Sequence, residues 1–151
     1  MVTFPCTVSW TGSTADRGYG RDASASAPGK PELPMSAGSA HEGDATRWNP
    51  EDTLAASLGM CHMLTFLALA SKVGLDVRAY DGHSESVLDT VDRVTRVTTI
   101  RLTPTITLAA GSDEAKAKTM FEKAHKYCFI ANSITAEVVM EPTIRLLDAG
   151  A

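Results

Sequence analysis

Between Asn49 and Gly74 the chain reads NPEDTLAASLGMCHMLTFLALASKVG, and its apolar residues fall on every face of a helix. Leu54, Leu58, Cys61 and Leu69 share one side, Met60, Met63, Leu64 and Leu67 occupy others, and Phe66 lies between. Asn49 suits the N-cap and Pro50 the first helical position, where its missing N–H costs nothing. Glu51 and Asp52 place negative charge at the positive end of the helix dipole. Lys72 and a left-handed Gly74 mark the stop. A helix apolar all round has to be enclosed. Leu54 to Ala70 falls short of the ~20 apolar residues of a membrane span and carries Ser57, His62 and Thr65, so the expected cover is the chain's own sheet or a second copy of the helix. Ala55, Ala56, Ser57 and Gly59 favour the second copy, because small residues let two helices approach closely.

Around this helix the pattern is mostly of strands. Residues 2 to 10 alternate (Val2, Phe4, Cys6, Val8, Trp10) and predict a strand with Cys6 facing a core and Pro5 marking an edge. TGSTADRG reads as a turn, YGRDASAS as a weaker second strand ending at Pro28-Gly29, residues 32 to 36 as a short third strand, and SAGSAHEGDATRW as a polar loop that leads into the helix. Beyond the helix, Val77 to Leu88 and Val94 to Leu108 predict a hairpin turning at DTVDR, with Pro104 calling for an edge or a bulge. Ser112 is positioned to cap SDEAKAKTMFEKAHKYC, where Ala117, Met120, Phe121, Ala124 and Cys128 follow helical spacing. CFIANSI then reads as a turn or short helical piece and TAEVVMEPTIRL as a last strand. This order predicts an α+β domain: a mainly antiparallel sheet with a long buried central helix and a second, amphipathic one.

The length of 151 residues suits one domain, expected to span residues 1–151. A net charge of −4 provides no basic field for phosphates, so no nucleic-acid partner is expected. MVTFPCTVSW has neither the basic nor the sustained apolar part of a signal peptide, which predicts a cytoplasmic protein. The three cysteines, Cys6, Cys61 and Cys128, form no C-x-x-C pair and no disulfide framework. In a reducing compartment they are core filler, metal ligands or reactive thiols. A metal site is poorly served: Cys61 and His62 are adjacent and therefore point about 100° apart on a helix, no i, i+4 ligand pair occurs, and His41, His83 and His125 lie elsewhere. Free cysteine is ordinarily a small core hydrophobe.

The company of Cys61 and Cys128 makes the pattern more specific. TRWNPEDTLAASLGMCHMLTFLALASKVGL, followed much later by AHKYCFIANSI, resembles the superfamily of osmotically inducible protein C and organic hydroperoxide resistance proteins (OsmC/Ohr). The resemblance covers nearly the whole chain. It rests most on Asn49-Pro50-Glu51 opening a helix with a cysteine ten positions after the glutamate, joined to a second cysteine in a later helix. It implies an OsmC/Ohr-like fold, an intertwined homodimer with its sites at the subunit interface, and thiol-dependent reduction of organic hydroperoxides ahead of hydrogen peroxide. In its terms Cys61 is the peroxidatic cysteine, Cys128 the resolving one, and Glu51 the acidic partner of an active-site arginine. Arg21, in YGRD, is the preferred arginine, with Arg47 second and Arg17 also available. Phe129 follows Cys128 where many relatives have proline.

The implied chemistry is consistent with these residues. A peroxidatic cysteine reacts as thiolate, and an ordinary thiol is only roughly 3% ionised at pH 7, so a cation has to favour the charged form. At a helix C-terminus the dipole disfavours a thiolate, which keeps Cys128 protonated and waiting. The resulting disulfide calls for an external dithiol reductant, and no flavin, haem or metal is needed. A dimeric module that binds a small molecule on the same fold, with inert cysteines, is the alternative.

Overall fold

The central helix, α1, runs Pro50–Lys72 in a computed structural model that describes residues 1–150. Its ends follow the expected chemistry. The Asn49 side-chain oxygen accepts from the Asp52 N–H at 2.8 Å. Gly74 takes φ +73°, and the Leu75 and Gly74 N–H groups donate to the Ala70 and Ser71 carbonyls at 2.9 and 3.2 Å, closing the helix in a Schellman motif. Burial follows one stripe, Ala55, Leu58, His62, Phe66 and Ala70, while Met60 and Leu64 on the other side remain 55% and 51% exposed. The expected all-round enclosure is thus half supplied by the chain itself. By length and hydropathy alone α1 passes for a membrane span. Its buried stripe includes a histidine and belongs to the same packed clusters as the second helix and the sheets.

The chain forms two compact units, Met1–Thr53 and Leu54–Ala151. The first contains an antiparallel meander of β1 (Thr7–Ser9), β2 (Ala23–Ser26) and β3 (Leu33–Met35). The strand expected over residues 2 to 10 pairs only at its end, beyond Pro5, which has no N–H to donate. Cys6, expected to face a core, is exposed; it precedes a three-residue strand that is itself exposed throughout, so no face of this sheet covers it. β2 begins later than YGRDASAS predicts because Tyr19 and Arg21 are engaged locally. The Arg21 guanidinium stacks 3.7 Å over the Tyr19 ring, and the Trp10 indole N–H donates to the Gly20 carbonyl at 2.9 Å.

The second unit holds β4 (Val77–Asp81), β5 (Ser84–Val91), β6 (Val94–Leu102), β7 (Thr105–Leu108), α2 (Glu114–Tyr127), β8 (Glu137–Met140) and β9 (Thr143–Leu146). These make two three-stranded sheets, β5-β6-β8 and β4-β7-β9. Each of the three long strands expected from the pattern is broken once, at Gly82-His83, Thr103-Pro104 and Glu141-Pro142, and at each break the chain passes from one sheet to the other. A proline cannot donate to a ladder, so two of the breaks follow from composition. The β5–β6 hairpin turns on Asp92 and Arg93, both with positive φ (51° and 66°), the arrangement that a two-residue type I′ turn requires. β4–β7 and β5–β6 are antiparallel, whereas β8 and β9 add in parallel to β6 and β7. The α+β class holds, with mixed sheets.

α2 is capped one residue later than expected: the Asp113 carboxylate, in place of Ser112, accepts from the Lys116 N–H at 2.9 Å. Its apolar stripe of Ala117, Phe121 and Ala124 is buried. Phe121 meets Phe66 with ring centroids 5.9 Å apart, and the Lys116 ammonium near the start of α2 donates to the Val73 carbonyl beyond the end of α1 at 2.9 Å, so the two helices run antiparallel. Ile100, Leu102, Ile106 and Leu108 from β6 and β7 complete the core. Two of the small residues of α1 serve this chain's own packing. Ala55 is buried in the core, and a Cβ on Gly59 would lie 2.2 Å from the Ser84 Oγ of β5. Ala56 and Ser57 remain exposed.

Phe121 is fully buried against two aromatic rings of α1. Phe121→Ala is therefore expected to lower unfolding free energy by about 3–5 kcal/mol in urea titration, whereas Phe129→Ala at an exposed position should change it by less than about 0.5 kcal/mol.

Candidate active site

Cys61 lies midway along α1, half-buried, on the flank between the buried stripe and the open face. Cys128 is the C-cap of α2 and is fully buried. The antiparallel helices bring them together: Cys61 packs against the cluster that contains Cys128, Leu58 and Ile100, close enough for its thiol to act on the other. Burial pushes the Cys128 thiol up from its ordinary value, the Ala131 N–H donating to Sγ at 3.4 Å opposes this, and the neighbouring Cys61 adds to the rise. Among the described residues no cysteine is in a disulfide.

Beside Cys61 opens a cavity of about 880 Å³, within the range of ligand pockets. Its walls are chiefly apolar: Met60, Leu64 and Leu69 from α1, with Tyr127, Phe129 and Ile130 from the end of α2 and the residues after it. The sequence pattern did not single out Tyr127 and Phe129 as site residues, because nothing local says what an exposed aromatic after a helix will face.

His62, adjacent to Cys61, points the other way. It is fully buried, its ring lies 4.4 Å from that of Phe121, and neither ring nitrogen finds a hydrogen-bond partner. Burial drives its pKa down to about 4, and the neighbouring His125 adds to the fall. It is a neutral core residue.

The other expected site residues belong to the first unit. Arg21 pairs with the Glu42 carboxylate at 2.7 Å and also donates to the Tyr19 carbonyl. Arg47 is shared between Asp22 and Asp44 at 3.5 and 3.6 Å. Glu51 lies in the first turn of α1, where the dipole favours its charge. Among the described residues no group of three or more histidine, cysteine, aspartate or glutamate side chains is arranged to hold a metal ion.

Two helices pack against paired sheets in an α+β fold, with Cys61 lining the cavity and packing on the buried cluster that contains Cys128. The family model for OsmC-like proteins matches residues 42–143, more than half of the chain, and the chain belongs to that family. The fold is similar to that of an OsmC-like protein of unknown function from Vibrio cholerae O1 biovar eltor, 28% identical, with 94% of this chain and 99% of that one covered at a TM-score of 0.87. It also resembles an organic hydroperoxide resistance protein from Elizabethkingia anophelis (16% identity, 97% and 98% covered, TM-score 0.73) and the organic hydroperoxide resistance protein OhrB of Bacillus subtilis (19%, 93% and 98%, 0.60). A comparison with curated proteins returns no match.

The His62 pKa predicts an acid-side loss of stability. Its value in the fold, about 4, lies below the ordinary 6.5, so the unfolded chain binds the extra proton and stability is full above pH ~6.5 and falls as pH drops toward 4, by about 3 kcal/mol at most. Urea titrations at stepped pH should show this slope, and its difference from His62→Leu should carry most of it.

Proposed function

We propose that the protein is a thiol-dependent peroxidase that reduces organic hydroperoxides, with Cys61 as the attacking thiolate and Cys128 as the resolving thiol. The observation that carries this reading is the meeting of two free thiols of different character, one half-buried beside an apolar cavity and one fully buried with its pKa raised. The Cys61 sulfur attacks the terminal hydroperoxide oxygen. An S–O bond forms, the O–O bond breaks, and the alkoxide leaves and takes a proton to become the alcohol. Sulfur is thereby oxidised to sulfenic acid. The Cys128 sulfur then attacks that sulfur; an S–S bond forms, the S–O bond breaks, and water leaves. An external dithiol restores both thiols by exchange. The apolar walls favour alkyl over hydrogen peroxide.

The reaction needs positive charge beside the thiolate and the departing alkoxide. Arg21 is assigned this part and Glu51 its orientation. Arg21 pairs with Glu42 and is 22% exposed, while the charge of Arg47 is divided between Asp22 and Asp44. A second copy of the chain is the assigned cover for the open side of α1, where Met60 and Leu64 are exposed.

After a pulse of tert-butyl hydroperoxide, mass spectrometry should find a Cys61–Cys128 disulfide in the native protein. Cys128→Ser should retain one stoichiometric turnover and then accumulate oxygen on Cys61, and Cys61→Ser should consume no peroxide. Arg21→Ala should slow the reaction about tenfold or more, with Arg47→Ala nearer native. Continued peroxide consumption by Cys61→Ser would remove the enzyme assignment.

Sedimentation at micromolar concentration should give twice the mass of one chain. A stable monomer would leave the open face of α1 without its assigned cover.

A further inference from the structure

Two imidazoles lie between the thiols and the aromatic rings of the core, and the reaction described above uses neither. His62 of α1 packs on Phe121 of α2. His125, one turn beyond Phe121, is close enough to His62 for its charge to lower the basicity of that ring. The contact between the helices is therefore layered: Phe66 on Phe121, then His62 beside His125, then Cys61 beside Cys128. Both ring nitrogens of His62 and Nδ1 of His125 are enclosed without a hydrogen-bond partner. An enclosed polar atom in that condition costs about 1–3 kcal/mol, so several in one layer call for a function.

The two rings differ in what they can do. His62 is fully buried and its pKa is held at about 4, which makes it a poor proton acceptor. His125 is half-buried: Nδ1 faces the interior while part of the residue reaches solvent, so a proton taken up inside can be passed out. It precedes Cys128 by three residues, which puts the two on one face of α2 with Cβ atoms about 5–6 Å apart, a gap that an imidazole and a thiol span by rotation about their side-chain bonds. The titratable neighbours of this layer are Cys61 and His62 on α1 and Cys128 on α2. Tyr80 of β4 meets the Phe66 ring, Glu122 one turn before His125 is exposed, and the sheet residues Ile100, Leu102, Ile106 and Leu108 of the same clusters carry no charge. Cys128 is the group with a proton to lose. Its thiol is fully buried and therefore hard to ionise, yet a thiol attacks as the thiolate. The Ala131 N–H donates to its sulfur at 3.4 Å and favours the charged form; what remains is an acceptor for the proton.

From this we infer that His125 is the base of the resolving step, taking the Cys128 thiol proton as the Cys128 sulfur attacks Cys61. The Cys128 S–H bond gives its proton to Nδ1 and leaves its electron pair on sulfur. That pair forms the S–S bond, and the S–O bond of the Cys61 sulfenic acid breaks. The departing hydroxide takes a proton from the imidazolium and becomes water, which restores neutral His125. The inference rests on the peroxidase reading for its oxidant only; the transfer from Cys128 to His125 accompanies attack on any leaving group held by Cys61.

The test uses a disulfide in place of a peroxide. In a Cys6→Ser parent, which lacks the exposed third thiol, dithiodipyridine forms a mixed disulfide on Cys61 and releases one thiopyridone. Attack by Cys128 then closes the Cys61–Cys128 disulfide and releases a second, and stopped-flow absorbance follows both. His125→Asn should release the first thiopyridone at the parent rate and the second about tenfold or more slowly near pH 7. In the parent the second rate should rise with pH and level off once the imidazole is neutral, whereas in His125→Asn it should keep rising toward ionisation of the thiol. His62→Leu should keep the plateau. A packing fault at position 125 would instead slow closure by the same factor at every pH. A parent-shaped pH profile in His125→Asn, or a second release as fast as in the parent, overturns the inference even if tert-butyl hydroperoxide is reduced. Release of a single thiopyridone by the parent removes the resolving role of Cys128 and the inference with it. Closure that depends on His125 in a protein that consumes no hydroperoxide sustains the proton transfer and removes the peroxidase reading.

Discussion

Phe66 of α1 and Phe121 of α2 meet edge-on in the core of the second unit, and the register of the two helices follows from that contact. With the helices antiparallel, the level of Phe66 fixes what lies a turn or two to either side. Toward the start of α1 it brings Cys61 to the end of α2, where Cys128 is the cap. Toward its end it brings Val73 to Lys116. Sliding one helix past the other by a turn moves the thiols apart by about 5.4 Å and leaves two large rings without their partners. Core packing and the pairing of the cysteines are thus one constraint.

The same packing separates the electrostatic environments of neighbours. Cys61 and His62 are consecutive, yet one reaches the cavity wall while the other is enclosed against Phe121, because successive side chains on a helix diverge by about 100°. Enclosure holds the histidine neutral and raises the Cys128 thiol through the same cause, the cost of placing charge away from water. Lys72 and Lys123 lie where α1 and α2 border the cavity, on stems long enough to cover apolar surface and still reach solvent.

The prolines and glycine that interrupt the strands have a related effect. By ending each long strand at Gly82, Pro104 or Pro142, they let one continuous segment serve two sheets. β6 and β7 thereby supply Ile100 and Leu102 to the cluster around Cys128, and Ile106 and Leu108 to the one around Phe121. A single uninterrupted strand would present alternate residues to one plane only.

The sequence by itself determined what local chemistry decides: both ends of α1, the helical stripe of α2, the β5–β6 hairpin and the α+β order, each set by residues a few positions apart. It also carried the spacing of Asn49-Pro50-Glu51, Cys61 and Cys128 on which the family resemblance rests. It misplaced the cap of α2 by one residue because Ser112 and Asp113 are both good acceptors, and it joined strands that a proline or glycine divides. Cys6 looked like a core residue because alternation signals a covered face whether or not anything in the unit covers it. Only tertiary structure decided that Cys61 and Cys128 share a cluster, that His62 is enclosed, and that Lys72 borders a cavity. Those facts depend on which face of one helix meets another element distant in sequence, and periodicity records that a face is apolar without recording what will press against it.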